Sequence, residues 1–174
     1  KDSKKIFEDM AIMRTAYASE INSYPTIFLS FADAKGSLDN IVRQMQDQIA
    51  QLYTKYEFVF QNIGVFEKPR YERIVSAFYE DSPAGFDKLS NSIAYLMMKL
   101  HQHYGKKVML FIDEYDTPFI EAHIQGFYDE IRASLASMLH SSLKTSGDLQ
   151  YAMLTGIQRV AKENVFSDLN NLRS

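Results

Sequence analysis

The 174 residues contain no cysteine, which excludes disulfides and thiolate zinc centres and suits a cytoplasmic protein, the location expected here. Positive charge is not in excess either. Nineteen Lys and Arg stand against 22 Asp and Glu, a net charge of -3, so the totals give no electrostatic footprint for nucleic acid, although a local basic patch stays open. No apolar stretch approaches the roughly 20 residues of a membrane span. The lysines near the N-terminus are not followed by the apolar core of a signal peptide. Gly-x-Ser-x-Gly, His-Glu-x-x-His and the glycine-rich dinucleotide fingerprint are all missing. His101 and His103 lie two apart, so on a helix they do not share a face, and His123 and His140 are isolated. All four read as surface or half-buried histidines. There is no repeat, low-complexity tract or linker, and residues 1–174 are expected to form one domain.

The most informative stretch is Val108-Met109-Leu110-Phe111-Ile112-Asp113-Glu114-Tyr115-Asp116. Its short β-branched and aromatic run predicts a strand buried on both faces, of the kind found in parallel sheets covered by helices. Ligands of such sheets sit beyond the carboxyl ends of the strands, where Asp113 and Glu114 stand. Successive side chains of a strand point to opposite faces, so the two carboxylates can take different roles. An apolar run followed by Asp-Glu is the Walker B pattern of nucleoside triphosphatases. There the Asp takes part in holding Mg²⁺, and the Glu orients and polarises the attacking water. Asp113 with Asp116 could also suggest a metal cluster, but capping of the following turn by Asp116 is the simpler account.

The rest of the chain supplies alternating elements. Asp2-Ser3 can cap a first helix carrying Ile6, Phe7 and Met10. Tyr24 to Phe31 reads as a second buried strand, with Pro25 at its tolerated first position. Ser37 can cap a long amphipathic helix running through Leu38, Ile41, Val42, Met45, Ile49, Leu52, Tyr53 and Tyr56 to Phe60. Pro69 opens a shorter helix, stopped by Asp81-Ser82-Pro83-Ala84-Gly85. A third helix from Leu89 to Tyr104 ends at Gly105, and Gly126 separates a short helical piece from the helix Tyr128 to Lys144. Leu149 to Leu154 is a further strand, ending in Thr155 and Gly156. Strands separated by helical crossovers predict α/β with a parallel sheet. A polar residue at such a strand end can contact a γ-phosphate or the attacking water, the position often called sensor 1. Thr155 fits it, and Arg159 just beyond could stabilise charge during phosphoryl transfer.

Tyr24 to Phe31, Gly105 to Pro118 and Leu154 to Leu172 together resemble the AAA-ATPase-like family of P-loop proteins, many of which carry a C-terminal nuclease-like domain. The resemblance implies a three-layer αβα sheet of the P-loop NTPase type. It makes Asp113 the magnesium residue, Glu114 the catalytic acid-base residue, Thr155 the sensor and Arg159 a candidate basic sensor. Implied cofactors are ATP and Mg²⁺ in the full-length parent. Implied partners are the nucleotide and the missing phosphate-loop segment, with nucleic acid reached only through a fused nuclease-like domain, an oligomer open, and no membrane.

The family's phosphate loop ends in Gly-Lys-Ser or Gly-Lys-Thr, and neither occurs in this sequence. The sheet is therefore expected to be incomplete, lacking the phosphate-loop strand and the last strand, in a domain truncated at both ends. In that picture the missing strand lies between 108–112 and 150–154, so these two should not be direct neighbours. The functional expectation is an ATPase core carrying the Walker B and sensor elements, inactive or weakly active as an isolated piece. The alternative is a non-catalytic partner-binding or regulatory module that kept the fold.

Overall fold

A computed structural model describes residues 3–80 and 82–157. Three parallel strands, β1 (Thr26–Ser30), β2 (Val108–Asp113) and β3 (Leu149–Leu154), form one sheet in the order β1-β2-β3. Between β1 and β2 run α1 (Leu38–Lys55), α2 (Lys68–Ala77), α3 (Pro83–Asp87) and α4 (Ser92–Tyr104). Between β2 and β3 run α5 (Thr117–Gln125) and α6 (Tyr128–Leu143). The α/β class and the parallel sheet are as the sequence predicts.

The expected separation of β2 from β3 is wrong. Val108 N donates to Asp148 O at 2.8 Å and Thr155 N donates to Ile112 O at 3.0 Å, so the two strands are directly hydrogen-bonded neighbours. The ladder carries one irregularity. Val108 pairs with Leu149 but Met109 pairs with Tyr151, leaving Gln150 as an extra residue. A one-residue shift exchanges the two faces of a strand. The extra residue therefore sends Ala152 and Leu154 to the face of Leu110 and Ile112, and Tyr151 and Met153 to the other.

That first face holds the core. Ile27, Leu29, Val108 and Leu110 are each fully buried beneath α1, α4 and α6, with Ile41, Met45, Leu96, Leu100, Leu135 and Leu139 among the residues packed there. Each such side chain contributes about 1.5–3 kcal/mol of burial. The second face stays largely open, with Phe28 57% exposed, Tyr151 67% and Met153 57%. Three layers were expected; the described residues close one face only. Parallel strands ordinarily have both faces covered.

Local signals set most boundaries. Ser37 Oγ accepts from Asn40 N at 3.3 Å and starts α1. The expected continuation to Phe60 is replaced, after Lys55, by a 3₁₀ turn, Glu57–Phe60, that stacks Phe60 on Tyr53 at 4.9 Å. Gly105 (φ 63°) and Gly126 (φ 85°) take the left-handed C-cap conformation of α4 and α5. The predicted first helix is instead three 3₁₀ turns, Lys4–Phe7, Ala11–Arg14 and Ala16–Glu20, none with a buried residue. Ile6 is 70% exposed and Met10 50%, so no apolar stripe finds a partner and nothing offsets the cost of nucleating an α-helix. No helix among the described residues is long and apolar enough to cross a membrane.

Candidate functional site

The carboxyl ends of the three strands bring the candidate residues together. Ser30 closes β1 in register with Asp113, the last residue of β2. Both point to the open face, two positions on from Phe28 and Phe111. Ser30 Oγ donates to Asp113 Oδ2 at 3.3 Å, and Thr155 Oγ1 donates to Asp113 Oδ1 at 2.5 Å. One carboxylate is thus held on each oxygen by a hydroxyl from a flanking strand. The contact with Thr155 depends on the extra residue Gln150, because without it Leu154 would stand beside Asp113.

Glu114 lies past the strand. Its φ of 50° places a non-glycine residue in the left-handed region, a conformation costing about 1–2 kcal/mol. The turn it begins is closed by Thr117 N donating to Glu114 O at 3.1 Å. Across the same turn Thr117 Oγ1 donates to Glu114 Oε2 at 3.0 Å. The two acids do diverge, one toward the open sheet face and the other toward the start of α5.

Asp116 occupies the N-cap position of α5, but its side chain makes no cap hydrogen bond. The expectation of a side-chain cap fails for a local reason. Pro118 stands second in the helix, where a cap oxygen would look for an N–H, and has none. Instead Asp116 is 1% exposed, and its carboxylate lies against Gly156, where a Cβ would come within 2.4 Å of Oδ1. Tyr115 N donates to Thr155 O at 3.1 Å, so the Asp-Glu turn and the end of β3 are tied together by backbone as well.

Of the residues singled out in the sequence, Asp113, Glu114 and Thr155 therefore meet at one end of the sheet, with Asp113 and Thr155 in direct contact. Arg159 lies outside the described residues. Among the described residues no group of three or more His, Asp or Glu side chains is placed to hold a metal, so the metal-cluster alternative for Asp113 with Asp116 gains no support. Ser30 also lies at this end of the sheet but outside the motif assignments, and Thr117 and Gly156, which stand inside the motifs, are given no role by them. Ser30 could have been noticed as the polar end of an apolar strand, but its register with Asp113 is long-range information. The histidines are not gathered at this site; His101 Nδ1 is paired with Asp148 Oδ1 at 2.8 Å, at the opposite, amino end of β3.

Among known proteins, the family model described as "Predicted AAA-ATPase" matches residues 1–166. A curated protein of Azotobacter chroococcum mcd 1, "Uncharacterized protein in vnfD 5'region", is 35% identical over 79 residues. That stretch is 44% of this chain and 15% of the length of the curated protein. No solved structure matches.

Proposed function

Because the chain belongs to the AAA-ATPase-like family, we propose that it carries the part of an ATP-hydrolysing site that manages metal and water. The observation that supports this most is the Asp113 carboxylate at the end of the central strand, with hydroxyls from both neighbouring strands on its two oxygens. The donors there are all oxygen, which suits Mg²⁺ and not a soft metal. A hard cation of this kind is commonly bound through one or two carboxylates together with substrate phosphates, so a lone Asp fits. In this reading Asp113 and the adjoining hydroxyls hold Mg²⁺, which when bound supplies charge neutralisation at the phosphates.

Glu114 then orients a water and accepts its proton while the water oxygen forms a bond to the γ-phosphorus. The bond from that phosphorus to the bridging oxygen breaks, and its electron pair leaves with ADP. In the same reading Thr155, which donates to Asp113, senses the γ-phosphate or the water, and Arg159 is a candidate for stabilising the developing charge. The phosphate grip normally comes from a Gly-Lys-Ser/Thr loop, absent from this sequence. On this reading residues outside these 174 supply it from a position other than between β2 and β3, which are directly paired, and the isolated chain hydrolyses ATP weakly or not at all.

The test uses the full-length natural protein. Glu114→Gln keeps the shape of the side chain and removes the base, so bound ATP should persist while turnover falls about a hundredfold or more. Hydrolysis at the wild-type rate in this variant would sink the proposal.

A further inference from the structure

A glutamate that must take one proton from one water works only if its carboxylate is held, because a free Glu side chain samples many rotamers. Here the holding group is visible. Thr117 is the first residue of α5 and is 9% exposed. Pro118 behind it has a fixed φ, and Phe119, 2% exposed, anchors the start of the helix in the core. The Thr117 hydroxyl therefore sits on a rigid base, and it donates to Glu114 Oε2 at 3.0 Å. The same residue closes the turn through its N–H to Glu114 O at 3.1 Å, and this turn sustains the left-handed φ of Glu114. Backbone strain on the glutamate and a buried hydroxyl on its side chain thus act on one group.

We propose that Thr117 is the positioning residue of Glu114: by occupying Oε2 it fixes the carboxylate plane and leaves Oε1 as the oxygen that meets the water. This inference rests on the role assigned to Glu114 above. It does not depend on the identity of the sensor residues or on Arg159. Thr117 touches no reacting atom, so its loss should act on the chemical step and not on nucleotide affinity.

Thr117→Val keeps the buried volume and the branch at Cβ while deleting the hydroxyl, and Thr117→Ser keeps the hydroxyl. In the full-length protein, Thr117→Val is expected to lower kcat about tenfold with KM for ATP changed less than twofold. Thr117→Ser should stay within about threefold of wild type in both, and Thr117→Val should add nothing in a Glu114→Gln background. A readout that needs no activity runs beside these. In the 174-residue chain, Thr117→Val should reduce the folded-to-unfolded ratio about fivefold to tenfold, and by clearly less when Glu114 is already Ala.

A Thr117→Val enzyme with wild-type kcat, while Glu114→Gln is inactive, would overturn the inference and leave the proposed function standing. Wild-type turnover in Glu114→Gln would instead remove the role of Glu114 and this inference with it. If Thr117→Val fails to fold, Thr117→Ser decides: normal folding with a tenfold loss of kcat would also count against positioning by the hydroxyl.

Discussion

Substituting Gly156 by alanine tests the contact that joins the two halves of the site. A Cβ built there would lie 2.4 Å from Asp116 Oδ1, 2.7 Å from Asp116 Cγ and 2.9 Å from Tyr115 Cε1. Ordinary van der Waals contact between such atoms begins at about 3.4 Å, so a gap of about 1 Å has to open. Asp116 is 1% exposed and has no room to swing into solvent. The end of β3 cannot simply retreat, since Thr155 N is bonded to Ile112 O at 3.0 Å and Thr155 O to Tyr115 N at 3.1 Å. Overpacking of this kind costs about 1–3 kcal/mol. For a chain of this size that lowers the midpoint of thermal unfolding by about 2–12 °C. The matched control is Gly147→Ala, where nothing lies within 4 Å of the added methyl and φ is not positive, so the midpoint should barely move. Unfolding followed by circular dichroism reads both. Combining Gly156→Ala with Asp116→Ala should cost less than the sum of the single losses, because the second change empties the space that the first invades. Equal midpoints for Gly156→Ala and Gly147→Ala would refute the close approach of Asp116, and with it the mechanical tie between the Asp-Glu turn and Thr155.

Two further outcomes test the scaffold beside the site. Gln46 is 1% exposed, and its Nε2 donates to Ala77 O at 2.8 Å and to Glu80 O at 2.7 Å, fixing the end of α2 to α1. Gln46→Leu removes both of these bonds, while Ala77 O keeps Glu80 N at 3.4 Å and Glu80 O keeps Ser82 N at 2.7 Å; the loss should cost about 1–3 kcal/mol by urea titration, and an unchanged midpoint would contradict the geometry. At high pH the fold should weaken through its buried tyrosines. Burial, with the nearby Glu67 carboxylate adding and Arg70 opposing, pushes Tyr95 up to about 12, and burial raises Tyr53 well above its ordinary value. Unfolded tyrosine ionises near 10. Between about pH 10 and 12 the unfolded state therefore holds fewer protons than the folded one, and stability falls as pH rises. Tyr95→Phe should flatten part of that decline, a difference visible in urea midpoints taken at pH 8 and pH 11. Parallel declines would show that Tyr95 titrates normally.

Much of the fold was legible because its causes are local. The three-to-four spacing from Leu38 to Tyr53 and the Ser37 cap define α1, and Gly105 and Gly126 end their helices through the left-handed conformation that glycine adopts without strain. The expected first helix does not form because Ile6, Phe7 and Met10 have helical spacing but none of them is buried, Ile6 and Met10 standing open to solvent. The side-chain cap expected of Asp116 does not form because Pro118 removes the nearer donor, and the close approach of its carboxylate to Gly156, 40 residues away, has no local signal. The pairing of His101 with Asp148 was invisible for the same reason of distance along the chain.

The sequence by itself determined which polar residues stand at the ends of the strands. An apolar strand must end where its polar residues begin, so Asp113, Glu114 and Thr155 had to stand at carboxyl ends, and the alternation of strands with helices long enough for crossovers made the class α/β with a parallel sheet. Tertiary structure decided which of these residues meet. Strand order and register come from pairings across tens of residues, and no local propensity encodes them. The placement of β3 directly beside β2, and the one extra residue at Gln150, put Thr155 rather than Leu154 against Asp113. The register of β1 on β2 brought Ser30 to the other oxygen, and the turn into α5 set Thr117 on Glu114. A strand offers its side chains to alternate faces, so a single residue of slip would have left the same amino acids with no site to form.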